Sequence, residues 1–371
     1  MGKVFYADLW GLREEKHRYL WENDVSTTEW QELEPVSPYF FFVPKDFDLL
    51  SEYERGWRVP DIFPVNSSGI KTHRDRFVIA FEEEHLRARI ATFRDKVLSD
   101  YEVRERFGLR DTRDWKLSEA RRGIQGDKKW EDRFTRCLYR PFDIRSIYYS
   151  HNVVEWPRFE VMHHMMHKNM ALVAARQLAA RKHFVLFVTQ LITEISSQPF
   201  APYNVFPLYL YTTPEEKPTK AGGSVIALTL FEPKAGYETR KPNLSPKFIA
   251  AVEEKLGLEF VTEGKGDLEA TFGPEDILHY AYAVFHSPTY RERYAEFLKI
   301  DFPRLPLTSD RELFKALAEK GEELVSLHLM ESPELNHLIT NFGVSGSDRV
   351  EKVRYVEKVT EEKKVPTGTS P

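Results

Sequence analysis

Residues 134–162 read FTRCLYRPFDIRSIYYSHNVVEWPRFEVM, a stretch in which arginines are interspersed with aromatic side chains. The arginines stand at positions 136, 140, 145 and 158, and Pro141 and Pro157 restrict the backbone beside two of them. Arginine offers a planar fork of donors to phosphates and guanine edges, while aromatic rings offer stacking faces to bases. The pattern favours a nucleic-acid partner over a small molecule, although similar stretches also build protein cores and interfaces.

The composition of the 371-residue chain indicates a folded protein of two or three domains, because 42% of its residues are hydrophobic and 13% are aromatic. Its single cysteine, Cys137, can form no internal disulfide and leaves no cysteine framework for zinc. No apolar run approaches the roughly 18 residues that span a bilayer, and the first ten residues lack a secretory layout. We therefore expect a soluble, cytoplasmic protein without a membrane partner.

Charge is unevenly distributed along the sequence, which has a net charge of −5. Residues 104–183 hold 18 Lys and Arg against 10 Asp and Glu, a balance of +8, and the remainder of the chain has a balance of −13. This polarisation predicts a basic face on an acidic body, as expected for a protein that binds nucleic acid. A solvated helix face with Arg/Glu pairs is the alternative.

Hydrophobic periodicity predicts an α+β fold with small mixed β-sheet elements and a helical subdomain. Helix caps and apolar spacing predict helices at 12–22, 82–98, 244–256, 274–287, 290–299 and 309–330, of which the last three form a helical subdomain over 273–330. We expect Gly123 and Gly126 to break the basic run 109–133 into two short helices. Short β-type runs predict strands at 3–10, 39–43, 77–81, 171–176, 184–189, 206–211 and 349–359.

The loop FPVNSSGIKTHRD at 63–75 is a candidate phosphate-binding loop. Asn-Ser-Ser-Gly favours a tight turn with exposed amides, so Asn66, Ser67, Thr72 and Arg74 are its candidate ligands. A turn without a ligand is an equal alternative.

Motifs for catalysis are absent from the sequence. There is no GxGxxG, no GxxxxGK[ST], no NPPY or DPPY and no GxSxG, so we assign no catalytic residue. His163 and His167 have the i, i+4 spacing of a metal pair, but Met165 and Met166 stand where a metalloprotease helix would have a glutamate. We therefore expect a structural or DNA-backbone role for these histidines and no metal.

Several strings of this sequence resemble the C-terminal specificity region of single-polypeptide Type I restriction–modification enzymes, the Type ISP group. They include FPVNSSGIKTHRD, LRDTRDWKLSEAR, CLYRPFDIRSIYY, FPLYLY and the long helical string ILHYAYAVFHSPTYRERYAEFLKIDFPRLPLTSDRELF. The resemblance covers roughly residues 3–356. It implies a target recognition domain that binds double-stranded DNA and directs N6-adenine methylation and restriction by other domains.

On this resemblance, residues 1–98 look like the end of a methyltransferase domain with a connector, and residues 99–345 look like the target recognition domain. Residues 346–371 would be a truncated strand and a disordered tail, in a fragment or split gene product. The fragment itself would be no enzyme and would bind no cofactor, with S-adenosylmethionine, ATP and Mg expected only in the missing domains. A methyltransferase or translocase polypeptide in trans is a candidate partner.

The candidate DNA contacts fall into two groups. Basic residues expected to contact mainly phosphates are Arg113, Lys116, Arg122, Lys128, Lys129 and Arg133. Candidates nearer the base edges are Arg140, Arg145, Arg158, Arg176 and Gln177, with Trp156 as a stacking residue. For each arginine a structural salt bridge is the alternative. Two other hypotheses remain open: a docking subunit that touches DNA little, and an enzyme with an unrecognised site.

Overall fold

A computed structural model describes residues 2–37, 39–177, 186–194, 202–212, 240–338 and 346. Its α-helices are α1 (Arg13–Glu22), α2 (Leu50–Tyr53), α3 (Val59–Ile62), α4 (Asp75–Val78), α5 (Glu83–Arg94), α6 (Asp100–Phe107), α7 (Leu117–Gly126), α8 (Phe159–Met162), α9 (Pro246–Leu256), α10 (Pro274–His286), α11 (Pro288–Arg293) and α12 (Arg311–His328). Ser99 caps α6 with a capping box, as its Ser-x-x-Glu sequence predicts.

The strands are short. They are β1 (Val4–Tyr6), β2 (Gln31–Leu33), β3 (Trp57–Arg58), β4 (Ser67–Ser68), β5 (Ile79–Ala80), β6 (Phe134–Arg140), β7 (Asp143–Tyr148), β8 (Ala171–Ala175), β9 (Leu186–Thr189), β10 (Ile192–Thr193), β11 (Tyr203–Pro207), β12 (Tyr209–Tyr211), β13 (Arg240–Pro242), β14 (Glu259–Phe260), β15 (Thr271–Phe272) and β16 (Arg304–Leu305). Small sheets mixed with helices confirm the predicted α+β class.

Two four-stranded sheets position the candidate site. The hairpin sheet has the order β10-β6-β7-β5, in which only the β10–β6 pairing is parallel. The support sheet has the order β4-β11-β8-β9 and is antiparallel throughout. Strand β8 has the sequence ALVAA, which contains no polar side chain, and all five of its residues are buried.

Residues 67–71 join these two sheets. Strand β4 pairs with β11 in the support sheet, and two residues later the amide of Ile70 donates to the carbonyl of Thr193 in β10. Lys71 then exchanges two backbone hydrogen bonds with Trp156, each 3.0 Å long. The segment thus fixes the hairpin sheet, the support sheet and the Trp156 loop to one another.

Helices α10 and α12 pack closely, as the sequence predicts for residues 273–330. In α10 the residues from Asp276 to Phe285 are all buried. Gly321 of α12 lies against the carbonyl of His279, so that a β-carbon at this position would overlap α10. The helices approach here at a distance that only glycine allows.

Two predicted strands are wrong or shortened. Residues 39–43 do not form a buried strand, since Phe40 has a φ of +49° and is 55% exposed. Tyr39 and Phe41 stack on Phe47 instead of pairing with a neighbouring strand. At 77–81, the first two residues belong to α4 and only β5 is extended. The aromatic and β-branched composition of these two stretches predicted strands. Instead, Phe40 adopts a left-handed backbone conformation and residues 77–78 form the end of α4.

Two further predictions need correction. Helix α7 runs through Gly123, where the glycine leaves room for the side chain of Asn152, so the break predicted at this residue is wrong. The break predicted at Gly126 is confirmed, because α7 ends there and Trp130–Arg133 forms a short 3₁₀ helix. The strand predicted over 206–211 is instead two strands, β11 and β12, that pair with different partners. The strand predicted at 349–359 lies outside the described residues.

Contacts divide the chain into one unit up to Ser332 and another from Pro333. In the second unit, Pro333–Asn336 forms a 3₁₀ turn. The division predicted at 98/99 falls within the first unit, where α7 contacts both α5 and α6. The assignment of residues 1–98 and 99–345 to separate functional domains stays a prediction.

Candidate nucleic-acid interface

Strands β6 and β7 form an antiparallel hairpin that carries the arginine-aromatic stretch. Arg140 lies opposite Asp143, and Pro141 and Phe142 form the turn between them. A register irregularity between Leu138 and Arg140 marks a bulge, a feature that redirects side chains near functional sites. The hairpin holds Arg136, Arg140 and Arg145 on one rigid element.

Arg145 is fixed by the carboxylate of Asp143. Its Nε and Nη2 atoms donate to Asp143 at 2.6–3.1 Å, and this hydrogen bonding raises the pKa of Arg145. The guanidinium lies 4.1 Å from the ring centroids of both Phe81 and Tyr139. A cation held between a carboxylate and two rings loses little freedom when it binds a ligand.

Arg140 is held by Glu194. Its Nη1 lies 2.6 Å from Oε2 of Glu194, and its guanidinium stacks 4.0 Å from the Tyr139 centroid. Glu194 is buried, and burial raises the pKa of its carboxyl to about 7 although Arg140 acts to lower it. In this ion pair the Glu194 carboxyl is buried, whereas the Arg140 guanidinium is partly exposed.

Tyr139 connects these arginines to the loop before α4. Its hydroxyl donates to Asp75 at 2.8 Å, and Asp75 also accepts from the hydroxyl of Thr72. Burial, followed by the hydrogen bond to Asp75, raises the pKa of Tyr139. Tyr139 is therefore held as a neutral spacer between two cations.

A basic cleft lies beside this network. Its walls come from residues 71–77, the end of α6 and the turn before α7. The basic side chains of the walls include Lys71, Arg76 and Arg110, and the walls also contain His73, Asp75 and Glu194. Arg76 and Arg110 are exposed and form no ion pair with any described residue. The cleft has a volume of about 620 Å³, and its cations suit a phosphate backbone.

Trp156 stands at the edge of this cleft and is 42% exposed. The Nζ atom of Lys71 lies 4.9 Å from the indole centroid, and His73 meets the ring edge-on at 5.6 Å. Arg158 lies 5.5 Å from the same ring and donates through Nε to the hydroxyl of Ser68 at 3.2 Å. Trp156 and Arg158 are thus brought together beside the cleft, in an arrangement of cations around an aromatic face.

The candidate phosphate loop is occupied largely by internal contacts. Thr72 and Arg74 are buried, and Arg74 donates to the carbonyl of Thr72 and to Glu155. Burial lowers the pKa of Arg74, which also stacks 3.8 Å from the Trp115 centroid. Both side chains therefore stabilise the loop, and Arg74 also lines the basic cleft.

Asn66 and Ser67 have similar roles in the fold. The carbonyl of the Asn66 side chain accepts from Asn204 at 2.9 Å, and the Ser67 hydroxyl donates to the carbonyl of Ser68. The tight turn predicted from Asn-Ser-Ser-Gly is instead strand β4 and its connection to β10. A phosphate role for this loop stays a prediction.

The phosphate-contact candidates around α7 lie apart from the cleft. Lys128 and Lys129 come just before β6, and β6 extends for about 20 Å between them and Arg140. Their side chains, and that of Arg122, are exposed and meet no charged partner among the described residues. Arg133 pairs with Asp127 at 3.1 Å. Lys128, Lys129 and Arg133 thus precede the start of β6, at the opposite end of this strand from Arg140.

Two candidates at the start of the α7 region have neighbours of their own. Arg113 is 90% exposed and pairs with the adjacent Asp114 at 2.7 Å. Lys116 donates to the carbonyl of Thr112, which also lines the basic cleft. Lys116 therefore lies next to a residue of the cleft wall, whereas Arg113 pairs with its own neighbour in the sequence.

Arg176 and Gln177 lie at the end of β8 in the support sheet, not on the hairpin. Arg176 pairs with Asp301 at 2.8 Å, while Gln177 is exposed. Their role in reading bases stays a prediction, and the structure does not join them to the cleft.

Two histidines of the 163–167 cluster contact residues of the fold. His164 is buried, and its Nδ1 accepts from the amide of Tyr211 at 3.0 Å. Burial lowers the pKa of His164 to about 4, and His167 stacks on the Tyr211 ring. No group of three metal-ligating side chains occurs within the described part of the chain. Cys137 is also buried, which raises its pKa to about 12.

Sequence reasoning missed four residues of this surface. Lys71, Arg76 and Arg110 line the cleft although they come from two separate segments, and Glu194 anchors Arg140 across 54 positions. Arg110 lies within the basic segment that was recognised, and Lys71 lies within the loop at 63–75, but neither residue was singled out. Glu194 had no local signal, because its position depends on the pairing of β10 with β6.

The fold defines an α+β domain with a basic, aromatic-lined surface. The chain belongs to the family described as the Type ISP C-terminal specificity domain, whose model matches residues 61–366. This match confirms the resemblance found in the sequence. No curated protein sequence matches the chain.

Three solved structures share the fold. A DrdV–DNA complex determined by cryo-electron microscopy has a TM-score of 0.62 and 21% identity, over 88% of this chain and 30% of that one. A nuclease-deletion mutant of the Type ISP restriction–modification enzyme LlaGI, in complex with a DNA substrate mimic, has a TM-score of 0.54 and 19% identity, over 88% and 28%. The ATP-dependent Type ISP enzyme LlaBIII bound to DNA has a TM-score of 0.55 and 17% identity, over 82% and 18%. The chain therefore spans less than a third of each.

Among the described residues, no helix is long and apolar enough to cross a membrane.

Proposed function

We propose that the chain is a DNA sequence recognition module that binds duplex DNA and directs adenine N6-methylation and restriction carried out by other domains. The observation that carries this proposal is the β6–β7 hairpin, which presents Arg140 and Arg145 in fixed orientations beside a basic cleft. Oriented arginines are the commonest readers of guanine, while unpaired cations supply sequence-independent affinity. The DNA complexes of DrdV, LlaGI and LlaBIII support the same partner.

The chemistry of modification and cleavage would then reside in other domains, or in a polypeptide that acts in trans. S-adenosylmethionine, ATP and Mg would bind there. In this proposal the present chain selects and positions the DNA, so its own substitutions should change which sequence is bound.

Binding of the full chain to a random-sequence duplex pool tests the proposal. We expect a small set of sequences to be enriched. With about six phosphate contacts, the logarithm of affinity should fall with the logarithm of salt concentration at a slope near −5. Affinity that does not vary with sequence or salt would overturn the proposal.

A docking role is a second candidate, favoured by the apolar surface of the N-terminal segment. Helix α1 has no buried residue, while Trp10 and Trp21 are 83% and 85% exposed. Exposed apolar residues of this size mark interaction surfaces. A methyltransferase or translocase polypeptide is the partner that this role implies.

Charge reversal at Arg140, Arg145 and Arg158 separates the two candidates. If the chain reads DNA, the variants lose duplex binding and keep partner binding. If the chain only docks on a protein partner, the variants keep their DNA binding unchanged, whether or not partner binding is lost. Circular dichroism of each variant verifies that the fold is retained.

A further inference from the structure

Phe142 has an unusual position at the tip of the β6–β7 hairpin. Its φ is +63°, it follows Pro141 in the two-residue turn, and it is 64% exposed. A proline followed by a residue with positive φ is the pattern of a type II turn, whose second position favours glycine or asparagine. A bulky apolar ring here is costly for folding, and strained residues of this kind concentrate at binding sites.

The ring of Phe142 lies at the rim of an apolar cavity of about 270 Å³. Phe142 itself forms part of the cavity wall, together with Leu138, Ile144 and Leu191 among others. The ring meets His328 edge-on, with 5.9 Å between the centroids. Because the residue is nevertheless 64% exposed, it keeps a surface that a ligand can reach.

Arginines stand on both strands next to this apolar tip. Arg140 immediately precedes the turn, and Arg145 lies on the returning strand. Arg136, four residues before Arg140, is exposed and has no ion-pair partner among the described residues. An apolar tip with flanking arginines matches a duplex, which offers stacked bases inside and phosphates on both sides.

We propose that Phe142 is a wedge that inserts between adjacent base pairs of the bound duplex and unstacks them, a role that rests on the proposed function. The flanking arginines hold the two phosphate backbones while the ring enters the base stack. Unstacking is least costly at pyrimidine–purine steps, so the wedge adds a preference for such a step without a hydrogen bond to a base.

Four forms of the full chain test this role: wild type, Phe142→Ala, Phe142→Gly and the control Phe40→Ala. Phe40 is a matched control because it is also an exposed phenylalanine with a positive φ, of +49°, and stands far from the hairpin in sequence. Glycine at 142 accepts the turn without strain, so Phe142→Gly should melt at the same temperature as the wild type or higher. A ring that only stabilised the fold would give a lower melting temperature.

The probe is the set of duplexes that the wild-type chain enriches from a random pool. Permanganate, which oxidises unstacked thymines, should mark one step within these duplexes when wild type or Phe40→Ala is bound. Phe142→Ala and Phe142→Gly should abolish the mark, lose the preference at that step, and bind about tenfold more weakly.

The outcomes separate this inference from the proposed function. If no duplex is enriched by the wild type, the proposed function fails and the wedge with it. If duplexes are enriched but all four proteins bind them equally and no thymine becomes reactive, the wedge alone is wrong. A lower melting temperature for Phe142→Gly with unchanged DNA binding would show a purely structural residue.

Discussion

The cations at the two ends of β6 differ in how they are held. At the turn end, Arg140 and Arg145 are paired with Glu194 and Asp143 and stacked on Tyr139. At the other end, Lys128 and its neighbour are exposed without a charged partner among the described residues. Fixed forks suit base edges, whose donors and acceptors have set positions, whereas mobile ammonium groups suit phosphates. The difference predicts that one end reads sequence and the other supplies affinity.

The largest expected effect concerns the buried carboxyl that holds Arg140. Burial raises the pKa of Glu194 to about 7, whereas an unfolded glutamate titrates near pH 4.5. Between these values the folded protein binds a proton that the unfolded chain has released, so the free energy of unfolding falls as pH rises through this window. The titration of Glu194 lowers the free energy of unfolding by about 3 kcal/mol in total, and the decrease is complete above pH 7.

Glu194→Gln tests this directly, because glutamine has no charge to bury. Relative to wild type, the variant should gain stability between pH 5 and 8 in urea unfolding. It should also bind enriched duplexes more weakly at pH 8, since Arg140 loses its anchor. An identical pH dependence in the two proteins would contradict the structure of this pair.

The second-largest effect is expected from replacing Arg145, whose planar guanidinium group is held by Asp143. Arg145→Lys keeps the charge but removes the planar pairing with Asp143, and a lost bidentate base contact costs about 1–3 kcal/mol. We expect specific binding to fall roughly 10- to 100-fold, with nonspecific binding unchanged. Titration against enriched and scrambled duplexes measures both. An equal loss on both duplexes would place Arg145 among the phosphate contacts.

A smaller and sequence-independent effect is expected at the other end of β6. Lys128→Ala with Lys129→Ala should weaken binding to all duplexes alike and reduce the magnitude of the salt slope by about 2. Lys320→Ala is the matched control, because Lys320 is an exposed lysine of α12 that pairs with Glu323. A change in sequence preference in the double variant would contradict the proposed division of roles.

The smallest effect is expected at Arg113. Its exposed pair with Asp114 contributes little to stability, as is usual for surface ion pairs. Arg113→Ala should melt at the wild-type temperature and reduce the magnitude of the salt slope by at most about 1. A large drop in melting temperature would show that this pair has a structural role.

Local patterns in the sequence were sufficient for some features. The capping box at Ser99 and the Gly-Pro start of α10 identified their helices because the signals lie within a few residues. The hairpin stretch was recognised by its arginines and aromatic residues. Residues 39–43 were mispredicted since the same aromatic composition can stack in a loop.

Long-range pairing explains what the sequence could not predict. The cleft requires Lys71 to pair with Trp156 and Glu194 to reach Arg140, contacts that depend on strand order. Arg74 looked like a phosphate ligand, but its burial against Trp115 follows from tertiary packing. The sequence also offered no sign that Phe142 would have a positive φ.

The division of roles between the two ends of β6 is tested most directly by one ratio, the affinity for an enriched duplex divided by the affinity for its scrambled version. This ratio is measured for wild type, Arg145→Lys and the Lys128/Lys129 double variant. If the turn end of β6 reads bases, Arg145→Lys lowers this ratio at least tenfold, whereas the lysine variant weakens both affinities and leaves the ratio unchanged. A ratio near one for the wild-type chain, or a ratio that Arg145→Lys does not alter, would contradict this division of roles.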